Sequence, residues 1–126
     1  MTIIEIDKDE VQQRPVPSVW RDIFIKVVRS FVVGDYQLNA GIKTVLPVSK
    51  ETAAQISDYI EDYGEQLIEL PEETWNTSVC LWMGDHWDVL VDLWTEAEGR
   101  SDLVLSAQVM ESDQGYRVQI YMVYVP

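Results

Sequence analysis

Between Lys50 and Arg100 the chain carries no lysine and no arginine, a gap of 49 residues. Thirteen carboxylates fall inside it: Glu51, Asp58, Glu61, Asp62, Glu65, Glu69, Glu72, Glu73, Asp85, Asp88, Asp92, Glu96 and Glu98. The other nine acids balance the nine bases, so the whole net charge of −13 arises in this stretch. A surface of one sign repels nucleic acid and anionic membrane and steers cationic partners toward itself. A solvated face that keeps the chain soluble is the competing reading. Solubility faces usually mix both signs, however, and this stretch does not.

Cysteine and histidine are almost missing as well. Cys80 stands alone, which excludes an intramolecular disulfide and makes a cytoplasmic address the expectation. It falls in an apolar segment, so a buried structural thiol is expected rather than a nucleophile. No apolar run approaches the ~20 residues that span a bilayer. The opening MTIIEIDKDEVQQ lacks the basic-then-apolar layout of a signal peptide. Phosphate-binding glycine loops, HExxH and paired CxxC motifs do not occur, so kinase, nucleotidase, zinc-protease and zinc-ribbon chemistry fall together. No cofactor and no metal are expected.

What remains is globular. Hydrophobic residues make up 47% and charged residues 25% of 126, the composition and length of one domain. Residues 1–17 read as an irregular arm, with a short strand available to Ile3, Ile4 and Ile6, and the RPVP of residues 14–17 bars helix from running through into residue 18. A single domain then fills 18–126. Ser18 is a suitable N-cap for a helix with Trp20, Ile23, Phe24, Val27, Val28 and Phe31 on one face and Gly34 as its stop. Ser49 caps a second helix over about 50–63, with Ala53, Ile56, Ile60 and Tyr63 inward and Gly64 at its end. Residues 65–70 suit a short extended piece.

The C-terminal half changes to a period of two. Alternation over 77–83, 87–95, 102–110 and 116–125, with turns at Gly84-Asp85, Glu98-Gly99 and 113–115, predicts a four-stranded antiparallel meander. In the last strand Tyr116, Val118, Ile120, Met122 and Tyr124 would share a face. The fold class is therefore α+β, two N-terminal helices packed on a curved antiparallel sheet.

The order helix, helix, long antiparallel strands, with Ile25–Tyr36 (IKVVRSFVVGDY) ending in a Gly-Asp turn and a closing strand from Tyr116-Arg117-Val118, resembles the cone-shaped fold of nuclear transport factor two and the SnoaL-type proteins. That resemblance implies a concave pocket, for which Trp20, Tyr36, Trp87 and Tyr124 are the candidate lining. The segment Asp92–Leu105 (DLWTEAEGRSDLVL) resembles a small uncharacterised bacterial domain family and implies no activity.

Single candidate sites are weak. His86 lies at the Gly84–Trp87 turn beside Asp85 and Asp88, where an exposed histidine is commonplace. Asp88 and Asp92 would stand 13–14 Å apart, by roughly 3.4 Å per strand residue, too far to share an ion. Arg100 is expected to pair with Asp102 or a facing acid. Trp75, Trp82, Trp87 and Trp94 cluster within the acidic stretch. Trp94, framed by Asp88, Asp92 and Glu96, either lies half covered on the sheet or anchors a partner.

The favoured reading is a non-enzymatic module that engages a basic protein through Asp58, Glu61, Asp62, Glu65, Asp88, Asp92, Trp94 and Glu96, in the manner of an immunity protein. It would make no direct contact with nucleic acid or membrane. A cone-fold pocket protein, binding a small molecule or acting as a small hydrolase or isomerase, is the alternative. A homodimer joined through an exposed face with Tyr121, Val123 and Val125 is the third.

Overall fold

Apolar residues at three- and four-residue spacing build α1 (Ser18–Val32), where Trp20, Phe24, Val27, Val28 and Phe31 are all buried. The computed structural model describes residue 6, residues 8–113 and residues 115–126, so Ile3 and Ile4 of the suggested strand lie outside it. The helix starts differently from the expectation. Pro17 holds the N-cap position with no side-chain cap bond, and Ser18 is already helical. Proline's locked φ, −56° here, sets the entry to the helix that a capping hydroxyl was expected to set. The second helix, α2 (Lys50–Tyr63), is bounded as expected. Ser49 Oγ accepts the Thr52 amide at 3.1 Å, and Gly64 takes the left-handed cap at φ 80°.

The sheet is antiparallel and has six strands rather than four: β1 (Arg14–Pro15), β2 (Leu67–Ile68), β3 (Val79–Trp82), β4 (Trp87–Thr95), β5 (Gly99–Ser112) and β6 (Gly115–Tyr124). The path runs β1-β3-β4-β5-β6, and β2 pairs with β4. The arm is thus not wholly irregular, because Arg14 and Pro15 pair with Cys80 and Val79, and Val16 is fully buried. β3 and β2 lie end to end on one edge of β4, facing Trp87–Leu90 and Trp94–Thr95 respectively. Between them a 3-10 turn over Glu72–Asn76 and its exit fill the gap with side chains. Thr74 Oγ1 donates to the Asp92 carbonyl at 2.7 Å, and the Asp92 amide donates to Ser78 Oγ at 3.0 Å. A sheet edge that would otherwise be bare is thereby satisfied.

Met83 N donates to the His86 carbonyl at 2.7 Å, which closes a two-residue turn on Gly84-Asp85. Gly84 has φ +100°, a conformation that glycine adopts at no steric cost. Trp82 therefore stands opposite Trp87, with ring centroids 4.5 Å apart.

The helix-facing side of the sheet carries Trp87, Val89, Val91 and Leu93, then Leu103, Leu105, Ala107 and Val109, all buried. In β6 the expected alternation breaks. Ala107 pairs with Ile120 but Ser106 pairs with Met122, so one residue, Tyr121, is extra. Beyond this bulge Val123 joins the core, while Met122 and Tyr124 move to the other face. Tyr121 and Val125 are exposed and Val123 is buried, so these three do not make one exposed face.

The outer edge of β6 is covered too. Val118 N donates to the Thr44 carbonyl at 2.9 Å and Leu46 N donates to the Val118 carbonyl at 2.8 Å. Farther along, Gln55 of α2 acts as a surrogate strand. Its Nε2 donates to the Val123 carbonyl at 2.5 Å, and its Oε1 accepts the Val123 amide at 3.2 Å. Both long flanks of the sheet are thereby blunted against further strand pairing. Among the described residues no helix is long and apolar enough to cross a membrane.

Candidate functional site: a carboxylate-rich end

The end of α2 and the β4–β5 turn form one end of the molecule. Asp58, Glu61 and Asp62 are exposed on the helix, and Glu65 comes just past Gly64. Two bonds join this segment to the sheet. Glu96 N donates to the Gln66 carbonyl at 2.9 Å, and Asp102 N donates to Tyr63 Oη at 3.1 Å. Glu96 is thus carried to the side of Glu65, and Glu98 and Asp102 gather around Tyr63. Neither Glu98 nor Asp102 was singled out as a site residue in the sequence. Their contact with Tyr63 spans 39 positions in the Asp102 case, so no local pattern signals it.

Tyr63 senses these neighbours. The Asp102 amide donating to its oxygen acts to lower the phenol pKa. The hydrogen bond to the Glu98 carboxylate, desolvation and the charges of Glu98 and Asp102 together outweigh it, so the pKa lies above the ordinary 10.0. The electrostatics of α2 run the same way. Its last turn holds no base, so Glu61 and Asp62 face the negative end of the helix dipole uncompensated. Of the thirteen carboxylates in the base-free stretch, only three have a basic partner among the described residues: Glu69 with Arg29 at 2.7 Å, and Asp85 and Asp88 with His86. None of those three is at this end.

Not all of the residues expected to bind a partner come together. Asp58, Glu61, Asp62 and Glu65 follow one another along and just past the end of α2, and the Glu96 amide is tied to Gln66 next to them. Asp88, Asp92 and Trp94 alternate with the buried Trp87, Val89, Val91 and Leu93, so they project from the sheet face turned away from the helices. Asp88 binds His86, Asp92 accepts the Thr77 hydroxyl, and both are therefore engaged internally. Trp94 is half-buried, its indole N–H is enclosed with no partner among the described residues, and its ring lies 3.6 Å from where a Cβ on Gly99 would sit. The half-covered sheet residue, rather than the exposed anchor, describes it.

His86 is clamped by Asp85 at Nδ1 (2.5 Å) and by Asp88 at Nε2 (3.0 Å), so both ring nitrogens are occupied. Cys80 is buried, its thiol donates to the Pro15 carbonyl, and burial raises its pKa to about 11. It is an unreactive packing group at neutral pH. Arg100 makes no ion pair among the described residues, contrary to the expected pairing with Asp102, because the residue facing it across the strands is Trp94. The four pocket candidates do not gather around one cavity. Trp20 and Trp87 are core, packed edge-on at 5.2 Å; Tyr36 lies against Phe31 at 5.9 Å; and the bulge puts Tyr124 on the far side of the sheet.

These features define an α+β domain with one carboxylate-rich end. The chain belongs to the family described as a domain of unknown function (DUF7668), which it matches over residues 28–126. That match contains the Asp92–Leu105 segment and the whole carboxylate-rich end. No curated protein and no solved structure matches the chain, so the likeness to the nuclear-transport-factor-two cone fold gains no support.

Proposed function

We propose that the domain binds a basic protein through its carboxylate-rich end, as a non-enzymatic module of the kind that occupies a cationic functional surface. The observation that carries this reading is the cluster of Asp58, Glu61, Asp62, Glu65, Glu96, Glu98 and Asp102, which has no basic partner among the described residues. Repulsion among such groups destabilises the free fold, and a cationic partner relieves it. Tyr63, beside Glu98 and Asp102, supplies an aromatic ring, the residue type that anchors protein interfaces. Asp88, Asp92 and Trp94 are left out of this surface.

The test is association kinetics with the basic protein recovered on the immobilised chain at low salt. The double charge reversal Glu61→Lys/Asp62→Lys slows the on-rate by about tenfold or more at low salt and leaves the off-rate nearly unchanged, as expected for steering by rim charges. An affinity that is the same at low and high salt would falsify the reading.

A further inference from the structure

The N-terminal arm brings one cation to a place built for a cation. Lys8 Nζ lies 4.9 Å from the centroid of Trp82 and 5.9 Å from that of Trp87, and 2.7 Å from Glu111 Oε1 on β5. The two indoles meet at 58°, forming two walls of a corner. The inner wall is held from behind, since Trp87 packs on Trp20 at 5.2 Å and on Tyr116 at 6.1 Å. Indole faces carry negative potential, and a carboxylate at the open side adds a charge-assisted hydrogen bond. The cage is thus fixed by the core and the sheet, not by the lysine within it.

The segment that fills the cage runs between Ile6, which packs against the core, and the fully buried Val16, and is mostly exposed between them. Residues 10–15 are exposed, Val11 to 94%, and β1 contributes only two residue pairs to the sheet. Lys8 and Glu111 themselves are about half exposed. A groove of about 300 Å³ runs beneath the arm along Arg14, Cys80, Trp82 and Trp87, so the underside of the arm is not sealed onto the sheet. A solvent-exposed stretch of this kind opens locally at less than the cost of global unfolding.

We infer that Trp82, Trp87 and Glu111 form a binding site for a primary ammonium group, filled in cis by Lys8 and offered to a lysine side chain of the partner when the arm lifts. The identity of that partner rests on the reading above, whereas the site itself does not. The cage lies within residues 28–126 matched to the family, and Lys8 lies outside them. In the free chain Lys8 competes at the high effective concentration of a tethered ligand, and a lysine from outside must displace it.

The test uses the full chain, n-butylammonium chloride as the probe, and the indole N–H resonances and tryptophan fluorescence as readouts, at constant ionic strength. Lys8→Ala binds the probe about tenfold or more tightly than the wild type, because the millimolar-range intramolecular competitor is gone. Glu111→Gln added to Lys8→Ala weakens the probe again, and butan-1-ol, an uncharged isostere, does not bind. Equal binding by wild type and Lys8→Ala overturns the inference, as does indifference to Glu111→Gln or equal binding of the alcohol. Adding Glu61→Lys/Asp62→Lys to Lys8→Ala leaves probe affinity unchanged. Loss of salt-sensitive partner association with an intact ammonium response therefore removes only the earlier reading, and the converse removes only this one.

Discussion

Replacing Gln55 with alanine tests how much of this fold depends on one side chain imitating a strand. Gln55 is the partner of both polar groups of Val123, at 2.5 Å to the carbonyl and 3.2 Å from the amide, and Val123 is fully buried. Truncation leaves one buried donor and one buried acceptor, each costing about 1–3 kcal/mol when unpaired. Gln55 itself is half-buried, so water reaches part of the vacated space and the sum falls at about 2–4 kcal/mol. For a domain of this size each kcal/mol moves the melting midpoint by about 3–5 °C, giving a fall of roughly 10 °C. Gln55→Glu sharpens the test. It keeps an acceptor for the amide but sets a carboxylate against the carbonyl, so at neutral pH it is destabilised to a similar degree. The hydrogen bond that the protonated carboxyl can donate raises its pKa in the folded state above the unfolded value of about 4.3. Its stabilising contribution is therefore complete below that value and is lost as pH rises through the folded pKa. Thermal melts followed by circular dichroism, taken as differences from the wild type at each pH, provide the assay. A Gln55→Ala midpoint within about 2 °C of the wild type would refute the claim that this amide completes the sheet.

Two further outcomes rest on local chemistry. Ser49→Ala removes the side-chain cap of α2 and lowers stability by about 1 kcal/mol in urea titration, and no change in the midpoint would contradict the cap geometry. Cys80, with its pKa raised to about 11 by burial, reacts slowly with iodoacetamide at pH 8 in the folded chain and rapidly in urea; equal rates would show the thiol to be accessible. Because its folded pKa exceeds the reference 9.0, the neutral thiol contributes stability that is complete below about pH 9 and lost as pH rises toward 11.

Elements long enough to repeat a period were readable in the sequence. The buried faces of α1 and α2, the Ser49 and Gly64 boundaries, and the Trp82–Trp87 opposition across Gly84-Asp85 all come from spacing and turn chemistry. β2 falls inside the extended piece expected over residues 65–70, but its pairing with β4, like the whole of β1, did not show, because two residues cannot display alternation and their pairing is decided by the strand edges that they meet. The bulge at Tyr121 was hidden for another reason. Tyr, Met and Val satisfy an apolar pattern in either register, so only packing decides that Val123 enters the core. The site was half visible. The base-free stretch marked the carboxylates, but their sorting onto two sides of the sheet depends on the phase of β4, where the buried odd-numbered residues send Asp88, Asp92 and Trp94 outward. Lys8 and Glu111 stand 103 positions apart, and no composition rule joins them.

The last turn of α2 has a thermodynamic consequence of its own. Glu61 and Asp62 oppose the dipole of the helix that carries them, so the free domain holds an electrostatic cost in its native state and less of it in an unfolded chain where the charges separate. Any cation that binds the native end relieves that cost and stabilises the fold by an amount that grows with its concentration relative to its dissociation constant. The domain's resistance to unfolding is thus a reporter of what occupies the site, readable even for a ligand that gives no other signal.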